Sequence, residues 1–204
     1  MTNDPLLRGD VVAFSTRAYA ELAGLSVSSA AHRLKRFARR GFAQRLTRGF
    51  WVKPLHPQFT PYGCVTHLLG AALGYVSFLS ALHRHGLLSQ IPGRIQIATT
   101  GHFRRLQTAL GTFEFFQIHP RMALQGVEWT GTPFPYRIAG PEKALLDTLY
   151  LATRKGRRFV SLPDLDRNAC RFSNRLFRRL AAEQIHSPQI RMLVLTRAHA
   201  LGFI

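Results

Sequence analysis

Carboxylates are scarce in this chain. Ten Asp and Glu stand against 28 Lys and Arg in 204 residues, a net charge of +18 with a pI near 11.5. So few acids, widely scattered, leave little material for paired-carboxylate catalysis or for oxygen-rich metal sites. Cysteine occurs twice, at Cys64 and Cys170, with no metal-like spacing. That excludes a disulfide scaffold and fits reduced thiols in a cytosolic protein. No long apolar run is present either. Residues 64–82 form the most apolar window, but Thr66, His67 and several glycines and serines interrupt it, so buried helices are expected there and not a membrane span. Residues 1–10 are polar and lack an apolar core, so no secretory leader is expected. The chain has no P-loop, no dinucleotide fingerprint and no G-x-S-x-G. It is read as a non-enzyme that uses no cofactor and no metal.

What is present is apolar residue and arginine. A hydrophobic fraction of 46% with 11% aromatics argues for a folded protein with a real core. Arginine supplies 24 of the 28 cations. The excess is uneven: residues 1–60 carry +7, residues 61–152 carry +3, and residues 153–204 carry +8. A polyanion such as DNA or RNA is the partner that this charge suits.

Residues 14–52 are the most readable stretch. A helix is expected over 16–23, with Tyr19, Leu22 and Ala23 on one face and small Ala20 where a second helix can pass close. Gly24 breaks it, because glycine takes the left-handed conformation of such a turn at little cost. Ser26 is a good N-cap for a second helix whose Ala30, Leu34 and Phe37 form one buried stripe. At about 100° per residue, Ser28, His32, Lys35 and Arg39 lie opposite that stripe, with Ser29 and Arg36 beside them. Short hydroxyls, a histidine and cations on one helix face suit a DNA major groove. Gly41 ends this helix, and residues 42–52 read as two strands around Thr47-Arg48-Gly49, a wing with Arg45 and Arg48 as phosphate contacts. A small helical hairpin with a solvated basic face is the plainer alternative.

A first short helix is expected over 4–13. Three prolines within residues 53–61 suit a linker. The fold class is therefore α+β: an N-terminal winged helix-turn-helix over 1–56, a proline-rich linker at 57–61, and a mixed α/β domain over 62–204. That second domain is expected to carry helices over 62–88, 140–152 and 162–202, including a short one from Pro163, and a small sheet at about 94–138. Its strands are placed at 94–99, 112–119, 127–130 and 134–138, with 101–110 as a basic connection. Pro141 suits the first position of the 140–152 helix and Glu142 its positive end. Glu142, Lys143 and Asp147 are read as an exposed first turn with an i, i+4 pair, or else as a contact point for a partner. Arg154, Lys155, Arg157 and Arg158, together with Arg175, Arg178 and Arg179, form a candidate second basic surface.

Little else carries chemistry. Asp164-Leu-Asp166 has the form of a metal-binding pair, but no third ligand stands nearby, and no E-x-K follows Pro163-Asp164. His83 and His85 are two apart and point to different helix faces.

The middle of the chain resembles the AbiEi family, antitoxins and transcriptional regulators of bacterial type IV toxin–antitoxin and abortive-infection loci. The likeness rests on Y-V-S-F-L-S-A-L-H-R-H-G-L from Tyr75 with Gln90-Ile-Pro92, on Ile95-Gln-Ile-Ala-Thr-Thr100, on Gly111-Thr-Phe-Glu-Phe115, and on R-I-A-G-P-E-K-A-L-L-D-T-L-Y from Arg137. It implies a cytoplasmic autorepressor whose winged helix binds operator inverted repeats in double-stranded DNA. It implies also that the second domain counters a nucleotidyltransferase-like toxin. A stand-alone regulator, or a metal-dependent nucleic-acid-processing enzyme, is the alternative from the residues themselves.

Overall fold

Two helix endings and one hairpin turn shape the first part of the chain. A computed structural model describes residues 11–154, 159 and 161–204. Strand β1 (Ala13–Ser15) leads into helix α1 (Thr16–Ala23), whose N-terminus is capped by the Ser15 hydroxyl accepting from the Ala18 N–H at 3.0 Å. At its other end Gly24, at φ 62°, lets its own N–H and that of Leu25 reach the carbonyls of Glu21 and Ala20. Helix α2 (Val27–Arg39) starts from Ser26 and ends in the same way. Gly41, at φ 77°, donates to Ala38, Phe42 donates to Phe37, and the two phenyl rings meet edge to face at 6.4 Å. The termini of both helices are thus satisfied locally.

Strands β2 (Gln44–Thr47) and β3 (Phe50–Val52) follow, and the sheet order is β1-β3-β2, antiparallel throughout. The core of this unit is Tyr19, Ala20, Ala30, Leu34, Ala43 and Trp51. The buried Trp51 indole donates to Thr16 Oγ1 at 2.9 Å, so its N–H is not left unpaired. Two expectations are corrected here. Leu22 is 70% exposed, because α1 buries Thr16, Tyr19 and Ala20 instead. The helix expected over 4–13 fails at its end, where Ala13 belongs to β1; residues 4–10 lie outside the described residues.

The chain divides into two compact units. The first runs through Cys64 and includes Thr108–Leu110 and Gly131–Pro135; the second holds the rest. The second unit is a six-stranded mixed sheet of β4 (Gly74–Val76), β5 (Ile95–Thr99), β6 (Arg104–Thr108), β7 (Gly111–Gln117), β8 (Val127–Trp129) and β9 (Arg137–Ala139), in the order β6-β7-β5-β4-β9-β8. β5 runs parallel to β7 and β4 parallel to β9, while β4–β5 and β8–β9 are antiparallel. A short α3 (Cys64–Leu68) precedes the sheet, and α4 (Phe78–Arg84), α5 (Pro141–Ala152), α6 (Asn174–Gln184) and α7 (Pro188–Ala200) complete the described α-helices.

The expected helices over 62–88 and sheet at 94–138 need correction. The sheet reaches from Gly74 to Ala139, and β4 sits inside what reads as a helical stretch. Tyr75 and Val76 are buried on both faces, so β4 shows no alternation that could betray a strand. The basic connection at 101–110 contains the edge strand β6, whose arginines suit an edge that must not pair with another chain. Arg105 reaches the buried Glu114 carboxylate at 2.8 Å, and Arg104 lies over the Phe115 ring at 4.3 Å. β9 begins only at Arg137, beyond Pro135, which cannot donate to a ladder. No helix starts at Pro163. Instead the Asp166 side chain accepts from the Asn168 N–H at 2.9 Å, a local turn that competes with helix formation.

Helix α5 packs against α4, α6, α7 and β9. Every side chain from Glu142 to Leu149 is buried, which corrects the expected exposed first turn. Asp147 is fully buried. Its Oδ1 accepts from the Lys143 ammonium, and its Oδ2 accepts from Ser77 at 2.8 Å and Tyr75 at 3.0 Å. Burial lowers the Lys143 pKa against the opposing pull of Asp147. Burial together with Asp147 raises that of Tyr75.

Removing one partner of such a pair leaves a buried charge alone. Asp147→Ala should therefore cost about 3–5 kcal/mol in urea denaturation, and adding Lys143→Met should restore most of it. Alkali gives a second check. Cys64 is fully buried, and its thiol is pushed from 9.0 up to about 12 by that burial. Its contribution is fully present below pH 9 and is lost as the pH rises toward 12, amounting to about 4 kcal/mol. Tyr75 adds to the same loss in any variant that keeps it. The difference in stability between the wild type and Cys64→Ala should therefore shrink across that range in a pH series of melts.

Candidate nucleic-acid interface

Helix α2 is amphipathic because its small and branched residues recur at helical spacing. Ala30 and Leu34 are fully buried against α1 and Trp51, and Phe37 and Ala38 pack partly against the same core. The opposite face carries Ser28, His32, Lys35, Arg36 and Arg39, all exposed, with Ser29 exposed beside them. The structure thus brings together on one helix face the six α2 residues singled out by periodicity. Ser29 also belongs to the N-cap. Its N–H donates to Ser26 Oγ at 3.1 Å, and the two hydroxyls lie 2.9 Å apart.

Arg45 and Arg48 lie on the β2–β3 hairpin of the same unit, both exposed. Arg48 is in the two-residue turn. Arg45 is steadied by its Nε donating to the Thr47 carbonyl at 3.2 Å, which leaves its terminal nitrogens to solvent. The turn itself is fixed from behind, since the Thr16 N–H donates to the Gly49 carbonyl at 2.9 Å. Among the described residues, Lys35, Arg36, Arg39, Arg45 and Arg48 form no salt bridge. Cations without local partners are free to neutralise phosphates. Arg17 and Arg40 are further exposed cations of this unit. Helical spacing does not select them, because Arg17 lies on α1 and Arg40 falls past the last turn of α2.

The candidate second surface is only partly described. Lys155, Arg157 and Arg158 lie outside the described residues. Arg154 is exposed, donates to the Tyr150 hydroxyl at 3.2 Å and sits 5.6 Å from that ring. Arg175, Arg178 and Arg179 share the exposed face of α6, opposite Phe177, Leu180 and Ala181.

Other sequence candidates resolve into structure. His83 Nδ1 pairs with the Leu88 carbonyl at 2.9 Å and His85 Nε2 with the Ala139 carbonyl at 2.7 Å, so both rings tie chain segments together. Among the described residues no group of three or more His, Cys, Asp or Glu is placed to hold a metal ion. Among them, too, no helix is long and apolar enough to cross a membrane. A half-open pocket of about 330 Å³ lies at the start of α5, lined by Gly126, Glu128, Gly140, Glu142, Leu176 and Leu180 among others. It offers the carboxylates of Glu128 and Glu142, with Lys143 also in its lining. No protein-family model matches the chain, and a search of the curated proteins returns no match.

Proposed function

We propose that this protein is a sequence-specific DNA-binding regulator of the winged-helix type, with α2 in the major groove and the β2–β3 hairpin as the wing. The observation that carries the reading is the exposed α2 face, where hydroxyls, an imidazole and unpaired cations stand opposite a buried apolar stripe. The order strand, helix, helix, hairpin, with the first strand pairing the last, supports it. In this reading Ser28, Ser29, His32 and Arg36 approach base edges, and Lys35, Arg39, Arg45 and Arg48 neutralise phosphates. The resemblance of residues 75–150 to the AbiEi family extends the proposal to autorepression from operator repeats and to an antitoxin role against a nucleotidyltransferase-like toxin.

DNA upstream of the coding sequence is the first duplex to try. Arg48→Ala should weaken binding to all sequences alike and make the slope of log K against log salt shallower by about one. Arg36→Ala should cost about 1–3 kcal/mol on the preferred site and relax discrimination there. An operator affinity left unchanged at moderate salt by both substitutions together would rule out the groove-and-wing arrangement. For the antitoxin role the measurement is growth: co-expression should suppress the toxicity of a neighbouring nucleotidyltransferase-like gene. A locus without such a gene would leave a stand-alone regulator.

A further inference from the structure

The second unit gathers a cationic surface that no single stretch of sequence contains. Helix α6 exposes Arg175, Arg178 and Arg179 across the side opposite Phe177, Leu180 and Ala181, and Arg171 is exposed just before it. At the far end two arginines arrive from elsewhere. Arg191 of α7 brings its guanidinium to the Ala182 and Ile185 carbonyls at 3.5 Å, and Arg121 donates to His186, 65 residues away in sequence. The C-terminal end of α6 is therefore flanked by cations, while its exposed side is lined by them.

The cations at the C-terminal end suit the helix dipole, whereas the one at the N-terminal end does not. The first turn of α6 holds no acid, and Arg175 there opposes the helix dipole. The one carboxylate on α6, Glu183, forms no salt bridge with these arginines among the described residues. Elsewhere in the same unit an arginine does find an acid, as Arg105 does with Glu114. Ala182, small and exposed among the α6 arginines, leaves room for an approaching group. An 11-residue helix is about 16 Å long, equal to about five nucleotides of one strand along a duplex axis.

We propose that this α6 surface binds the phosphate backbone of duplex DNA without reading its sequence, as a contact separate from α2. Guanidinium groups match phosphate oxygens in a planar, forked geometry, and a row that forms no salt bridge among the described residues keeps its charge for that partner.

The test uses the full chain and a duplex that lacks inverted repeats, titrated by fluorescence anisotropy between about 50 and 200 mM salt. Combining Arg175→Ala, Arg178→Ala and Arg179→Ala should make the salt slope shallower by about 2.7. The wild type then loses about 40-fold more affinity than the variant over that range. The matching triple change to lysine should keep the slope. Circular dichroism melting establishes that the variants are folded. An unchanged slope in a folded alanine variant overturns the proposal. So does retained DNA binding with lost retention on a polyglutamate column, which would assign the surface to an acidic protein. Arg36→Ala with Arg48→Ala is run in parallel on the same duplex. If that pair has no effect, the α2 reading falls while the α6 result stands on its own.

Discussion

A buried carboxylate with three donors around it is the constraint on which the second unit depends. Asp147 accepts from Lys143 on its own helix, from Tyr75 in β4, and from Ser77 at the start of α4. Taking two charges out of water is expensive, and the arrangement is tolerable only because the donors satisfy the carboxylate from several sides. The same bonds explain a local oddity. Ser77 occupies the N-cap position of α4 but makes no capping bond with its side chain, since its hydroxyl is committed to Asp147. Phe78 follows at φ 54°, a left-handed conformation unusual for a bulky residue, yet its ring is fully buried against Phe116 and Phe159. Gln96 Oε1 accepts from the Leu79 N–H at 3.0 Å in place of the Ser77 cap, and the backbone strain at this corner is offset by the network and by aromatic packing. The result joins the middle of the sheet to the central helix.

The two units handle charge in opposite ways. In the second unit Glu114, Glu142, Lys143 and Asp147 are buried, with ion pairs for three of them and a hydrogen bond from the Ser173 N–H at 2.6 Å for Glu142. The first unit has no buried charge among its described residues. Its exposed cations include those on the outside of α2 and on the hairpin, held over a small apolar core whose helix C-termini are closed by backbone bonds alone. Exposed like charges repel one another, so such a surface is stable on its own only through the core beneath it, and it gains from an anion that covers it. The α2 face and the α6 face share this character: cations that form no salt bridge among the described residues, backed by buried apolar residues.

Much of the first unit is legible in its residues because the signals are local. Ser26, Gly24 and Gly41 mark helix ends through bonds spanning five residues or fewer, and the Ala30–Leu34 spacing names the buried stripe, hence the exposed face opposite. The candidate site on α2 follows from the same periodicity. Leu22 is the exception: a large apolar side chain reads as core, but the direction from which Trp51 and α2 approach leaves it outside. In the second unit the long strands with β-branched or aromatic residues are legible at β5 and β7, whereas β4 and β6 are not. A three-residue strand buried on both faces carries no alternation, and a basic edge strand carries the composition of a loop.

From sequence alone come the basic, acid-poor character of the chain, its α+β class, the two helices and hairpin near its start, and the exposed cationic face of α2. All of these rest on composition or on neighbours within a few turns. Tertiary structure alone decides that Lys143 and Asp147 are interior, that Tyr75 and Ser77 donate to Asp147 from some 70 residues away, and that Arg121 and Arg191 meet the C-terminal end of α6. Burial and charge clustering are set by which distant segments come into contact, and no local pattern encodes that.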